Sequence, residues 1–237
     1  TRIGGDKILD VIDRLEPQGT INALTLGHDE MGYYASSNLQ AVGIAAWKKA
    51  PGVKGVDGYL EVHGSHGLFA LSDNDGFEVF FPLVYKDYKI IDKAHGTINF
   101  SWDEINKQLM LRSNVMTAEL DVGGASIQFS IEQPIPSQGV PPSVSLFVGA
   151  RNLDPKKRNK YLPYRIPAQL RTWLQESILD GQVDEFGLLI RNEAPRFDVL
   201  SQSTQLMIKM SAANINYDPK WMGMRDAKLL TLVDDTY

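Results

Sequence analysis

Apolar and polar residues alternate with a period of two through most of this chain, and that alternation predicts strands. In residues 97–102, Ile98, Phe100 and Trp102 fall on one face, while Thr97, Asn99 and Ser101 fall on the other. Residues 126–131 repeat the pattern with Ile127, Phe129 and Ile131, and residues 77–83 with Phe77, Val79, Phe81 and Leu83. Residues 143–148 do so with Val144, Leu146 and Val148, and residues 205–210 with Leu206, Ile208 and Met210. One apolar face per strand predicts a sheet covered on one side only. Asp57-Gly58, Asp75-Gly76 and Gly123-Gly124 read as tight turns, because glycine supplies the positive φ they require. Short connections of this kind predict antiparallel pairing, since parallel strands need long crossovers.

Two segments break the β pattern. Residues 6–15 place Ile8, Val11, Ile12 and Leu15 at helical spacing, with Asp6 as N-cap and Pro17 beyond the end. Residues 167–179 place Leu170, Trp173, Leu174 and Ile178 on one face. Pro167 suits the first turn of that helix, Gly181 suits its C′ position, and Trp173 reads as a packing anchor. A similar phrase follows each helix: Gly19-Thr20-Ile21-Asn22-Ala23-Leu24 and Gly181-Gln182-Val183-Asp184-Glu185-Phe186. Asn38-Leu39 before Trp47 matches Asn214-Ile215 before Trp221, which raises an internal repeat. Pro134-Ile135-Pro136 and Pro141-Pro142 mark a joint. The expected division is a first β unit over 1–133, a Pro-rich joint over 134–142, and a second β unit over 143–237 with its helix at about 167–180. The architecture is expected to run on through the joint.

Composition narrows the function classes. The chain has 237 residues with 43% hydrophobic, enough for a substantial core. Net charge is −5, which argues against binding a phosphate backbone. There is no cysteine, so disulfides and thiolate metal sites are excluded. No apolar run reaches the roughly 20 residues of a membrane-spanning helix. The opening Thr1-Arg2-Ile3 and the closing Asp234-Asp235-Thr236-Tyr237 lead us to expect a segment of a longer protein.

Motifs that carry chemistry are sparse. His63-Gly64-Ser65-His66-Gly67 offers two imidazoles near Asp57 and Asp73, but it also reads as a glycine-rich hairpin tip without a third ligand at metal spacing. On one strand the two histidines would point to opposite faces. Asp73-Asn74-Asp75-Gly76 resembles a calcium loop until its ends are checked: Leu71 and Pro82 stand where acidic ligands belong. An Asp-Gly turn is the better reading. There is no G-x-S-x-G elbow, P-loop or G-x-G-x-x-G, Ser126 has no nearby base, and the pairs Asp103-Glu104 and Asp234-Asp235 diverge on a strand. No catalytic residue, metal or cofactor is expected. Arg151, Lys156, Lys157, Arg158 and Lys160 form a basic run, read either as a contact for anionic headgroups or an acidic partner, or as a solvated loop.

The order of several short phrases resembles the YhdP-like proteins of the AsmA-like, TamB-related group. These are Tyr161-Leu162-Pro163, Trp173-Leu174 and Gly181, then Ala213-Asn214-Ile215-Asn216-Tyr217-Asp218-Pro219-Lys220-Trp221. Upstream, Leu15-Glu16-Pro17-Gln18-Gly19-Thr20-Ile21, Pro51-Gly52-Val53-Lys54-Gly55-Val56-Asp57-Gly58 and Phe81-Pro82-Leu83 join them. Met222 stands where the family usually has Pro, and a Phe-Pro pair appears only as Pro195-Arg196-Phe197. The resemblance implies a mainly β fold, an antiparallel twisted sheet curled into an open groove with two short helices at the joints. It implies a periplasmic segment of an inner-membrane-anchored protein that moves phospholipid between inner and outer membranes and supports the outer-membrane barrier. No enzymatic activity and no cofactor are implied. Phospholipid is the expected partner, with envelope proteins as further partners and no nucleic acid.

Candidate groove-lining residues are Phe77, Val79, Phe81, Ile98, Phe100, Leu109, Leu111, Leu120, Val122, Ile127, Phe129 and Ile131. Periodicity is the same for an open groove and for a dry core, so a closed β interaction module stays open as an alternative. A carbohydrate-active β-sandwich enzyme is the third reading, because the separation of distant carboxylates is invisible in sequence.

Overall fold

The computed structural model describes residues 13–47, 50–136, 140–164, 168–196, 199–216, 218 and 220–236. Within them the chain forms β1 (Gln18–Asp29), β2 (Gly32–Ile44), β3 (Gly52–His63), β4 (His66–Asp73), β5 (Phe77–Phe80), β6 (Lys89–Ile91) and β7 (Lys93–Asp103). Then come β8 (Gln108–Ser113), β9 (Met116–Leu120), β10 (Gly123–Pro134) and β11 (Ser143–Leu153). A 3-10 helix (Pro155–Lys160), helix α1 (Ala168–Ser177), β12 (Ile178–Arg196), β13 (Val199–Ile215) and β14 (Met224–Thr236) complete the order.

All fourteen strands belong to one antiparallel sheet, along the path β1-β2-β3-β4-β7-β8-β10-β11-β12-β13-β14. The sheet is not a closed barrel; it curls into an open groove. β5 pairs with β3 and β6, and β9 with β10 and β7. The predicted strands over 97–102, 126–131, 143–148 and 205–210 lie inside β7, β10, β11 and β13. The strand expected over 77–83 ends at Phe80, and Leu83 sits in the turn that follows, exposed. Across the Pro-rich joint the sheet continues, with β10 and β11 paired from Gly124↔Arg151 to Glu132↔Ser143.

Glycine does three different jobs, and the sequence reading separated them only in part. Asp75-Gly76 is a turn: Gly76 has φ +89, and the Asp73 carboxylate accepts from the backbone N–H of Asp57, Asp75 and Gly76. Asp57-Gly58 is not a turn but lies inside β3, where Gly58 makes room for the Phe69 ring and the Ala70 carbonyl of β4. Between β9 and β10 the turn residues are Asp121-Val122, and Gly123 opens β10 at φ +138.

The third job is a bend. Gly19 (φ +118) lies against Ala41 (φ 50), Gly123 against Asn152 (φ 58), and Gly181 (φ +133) against Ala212 (φ 48). Each pair sets a positive-φ glycine on one strand beside a left-handed residue on the next, and at Gly19 and Gly181 the register shifts as in a bulge, which bends the strands there. Gly181 is therefore not the C′ residue of the helix. α1 ends at Ser177 and passes straight into β12, which already contains Ile178 and Gly181. Arg158 closes the helix end instead, donating to the carbonyls of Gln175 and Ile178, and the Asn216 N–H donates to Ser177 O. Trp173 is 39% exposed rather than a buried anchor.

The repeat is visible in this geometry. Asp13, Arg14 and Leu15 are helical, and the Ala45 N–H donates to Leu15 O as that of Asn216 does to Ser177 O. Helix end, positive-φ glycine and facing alanine thus recur in the same order at β1–β2 and β12–β13. Residues 6–12 of the first expected helix, Pro167, Phe197, Tyr217 and Pro219 lie outside the described residues.

Candidate functional site

Directly paired residues of an antiparallel ladder share a face. Starting at Phe100 and following the partners gives one continuous row: Leu26, Ala35, Val62, Gly67, Phe100, Leu111, Ile131 and Val144, from β1 to β11. The row two residues along contains Leu60, Phe69, Ile98, then Phe129, Leu146 and Ile190. The next contains Leu39, Gly58, Leu71, Gly96, then Met116, Ile127, Val148, Leu188 and Leu206. Apolar side chains therefore run across strands that are distant in sequence, with Ser37 and Ser113 as the polar positions of the second row. The opposite face carries Glu61, His66, Asn99, Arg112, Gln128 and Glu185, with cross-strand ion pairs Arg112–Glu132, Lys93–Glu119 and Lys209–Glu185.

Among the described residues, the buried clusters of this face gather at one end. A buried cluster of Val56, Leu71 and Ala94 takes in Phe77 and Ile91 of the β5–β6 hairpin. A second, of Val122, Leu153, Val183, Met210, Ala213 and Ile215, takes in Leu120 and Tyr161. Between them the row Ala94–Ala118–Ala125–Ala150 supplies only methyl groups. Two segments meet here as a strap. The Tyr164 N–H donates to Val84 O at 3.0 Å, the Tyr85 hydroxyl to Tyr161 O at 2.8 Å, and the Tyr164 hydroxyl to Pro82 O at 3.3 Å. Burial pushes the Tyr161 hydroxyl up to about 12 and raises that of Tyr85 as well. Beyond the strap the rows through Ile98 and Phe100 remain half-buried. At the far end a cavity of about 320 Å³ opens between Val62, Phe100, Trp102 and Leu109, rimmed by Ser65, His66 and Glu104.

The candidate lining residues divide accordingly. Ile98, Phe100, Leu109, Leu111, Ile127, Phe129 and Ile131 stand on the half-buried rows. Val79 and Val122 are buried, and Phe77 and Leu120 pack against the two clusters at the covered end. Phe81 follows β5 at the root of the strap, where its carbonyl accepts from Val84 and Tyr85. Sequence reading passed over Leu60, Val62, Phe69, Leu188 and Ile190. Tyr59-Leu60-Glu61-Val62 held the signal in its alternation, whereas Leu188-Leu189-Ile190 hides its period in a run of three apolar residues.

The polar candidates resolve into structural roles. His63 and His66 are direct partners across the Gly64-Ser65 turn, so they share the polar face instead of opposing one another. His63 Nε2 lies 2.9 Å from Asp29 Oδ1, and this hydrogen bond holds the Asp29 carboxyl below the usual range. Among the described residues, no three His, Asp or Glu side chains converge as a metal site would require. Of the basic run, Arg151 lies in β11, while Lys156, Lys157, Arg158 and Lys160 belong to a 3-10 helix clipped to its neighbours. Lys160 pairs with Asp121, Lys156 with Asp180 at 2.8 Å, Lys157 Nζ donates to Asp121 O, and Arg158 is spent on carbonyls.

Among the described residues no helix is long and apolar enough to cross a membrane. Comparisons with curated proteins and with solved structures each return no match. A family model, described as YhdP protein, matches residues 3–236, so this chain belongs to the YhdP family, a membership that fits an envelope protein of the AsmA-like group.

Proposed function

We propose that this chain is a non-enzymatic segment of a periplasmic, inner-membrane-anchored protein that carries phospholipid acyl chains along its apolar face between inner and outer membranes. The observation that supports this reading is the apolar row through Phe100, half-buried from Ala35 in β2 to Val144 in β11. Eight neighbouring strands, β1 to β11 along the sheet path, make seven spacings, so the row extends for about 34 Å. An acyl chain of about 16 carbons gains on the order of 12 kcal/mol by burying its methylenes, before the costs of association. A wall of aliphatic and aromatic side chains supplies that gain at every position alike, which suits a chain that must slide. Charges lie on the other face and leave the headgroup in water.

Mass spectrometry of chain purified without detergent tests the proposal, with co-purified phospholipid as the expected result. Phe100→Asp places a carboxylate in the middle of the wall. We expect it to cut the phospholipid retained by about tenfold or more while the circular-dichroism spectrum and melting cooperativity persist. Unfolding of this variant would indicate instead that the face is a closed core.

A further inference from the structure

Three glycines of the apolar face, Gly58, Gly67 and Gly96, each lie under a large side chain. Phe100 stands directly opposite Gly67, and a methyl group added to Gly67 would overlap the Phe100 ring. A methyl group on Gly58 would come within 2.7 Å of Phe69 Cε2, and one on Gly96 within 2.7 Å of Met116 Cβ. The three contacts join β3 to β4, β4 to β7 and β7 to β9. An inward side chain on a strand ordinarily stands away from the sheet. Over a glycine it can lie down on the neighbouring backbone, where no Cβ holds it off.

We propose that Gly67, with Gly58 and Gly96, sets the relief of the wall by keeping Phe100, Phe69 and Met116 flat. Gly67 is then a specificity-determining residue for an extended acyl chain, an inference that rests on the acyl-chain reading above. The flattened Phe100 ring is also one wall of the 320 Å³ cavity beside Val62, Trp102 and Leu109. A side chain at Gly67 would lift the ring into that space and leave a rib across the path of the chain. The effect on strand formation runs the other way, since a β-branched residue suits a strand better than glycine does.

The test compares wild type, Gly67→Val, Gly67→Ala, Phe100→Ala and the double variant Gly67→Val/Phe100→Ala in binding a fluorescent C16 fatty acid, with thermal unfolding measured alongside. We expect Gly67→Val to weaken binding about tenfold, the loss of contact for about two methylenes, with the chain still folded. The double variant, which removes the lifted ring, should recover most of the affinity. Should Gly67→Val fail to fold, Gly67→Ala and its pair with Phe100→Ala give the same comparison. Wild-type affinity in both Gly67 variants, or a double variant no better than the single, overturns the inference while leaving the acyl-chain reading in place. A wild-type chain that binds no fatty acid overturns both.

Discussion

Asp73 is the most deeply buried charged side chain described, at 2% exposure, and its role is settled by three backbone donors. A carboxylate is tolerated there because N–H groups from β3 and from the turn into β5 replace its water. Asp73→Ala would orphan those donors and is expected to lower the unfolding free energy by about 3 kcal/mol, read from urea denaturation with an unchanged slope. The sequence presented this residue as a failed calcium ligand beside an Asp-Gly turn, and the turn half of that reading holds. Gly58 shows the opposite case. Asp57-Gly58 has the composition of a turn, yet the glycine serves close approach of a ring across the sheet. Both uses of glycine leave the same letter, and only the partner strand tells them apart.

At the scale of elements, alternation located the β7, β10, β11 and β13 strands because one face of each is apolar and the other polar. The strap was not legible, since Tyr85 and Tyr161 meet only once the sheet is assembled, 76 residues apart. Tyr85→Phe deletes its hydroxyl donor and should loosen the strap by about 1 kcal/mol, seen as faster proteolysis within residues 81–88. The 3-10 helix was equally hidden, because a basic run looks the same whether its cations are solvated or engaged. Its clips have a defined pH dependence. Hydrogen bonds from Lys160 and Lys156 hold the Asp121 and Asp180 carboxyls below their ordinary pKa. A depressed folded-state pKa stabilises above the unfolded value, near 3.9, and that contribution is lost as pH falls through the folded one. Melting temperature should therefore drop more between pH 6 and pH 3 in wild type than in a Lys156→Ala/Lys160→Ala variant.

Among the described residues the main path of the sheet ends at β1 and β14. β1 exposes Ile21, Leu24 and Leu26, and β14 exposes Leu230 and Leu232, so both edges combine free backbone groups with apolar side chains. Leu24→Lys/Leu26→Lys should reduce concentration-dependent light scattering without lowering the melting temperature by more than a few degrees, about 1 kcal/mol or less. One-sidedness of the sheet was readable from periodicity. Whether the apolar side was covered was not, because a strand facing a lipid, a solvent-filled trough or a second sheet shows the same alternation. Pairing aligns the row through Phe100 from β1 to β11, while the buried clusters gather at the strap end.

The bend formed by facing positive-φ residues has a consequence for how such a sheet can vary. Gly19 and Ala41 are 22 positions apart, and Gly181 and Ala212 are 31. The nine extra residues lie between bend and hairpin tip, so each arm of β12–β13 reaches about 15 Å further than those of β1–β2. Floor and rim are thus specified separately. A hairpin can gain or lose length at its tip, making the channel deep in one stretch and shallow in another, without disturbing the fold line along which the sheet turns.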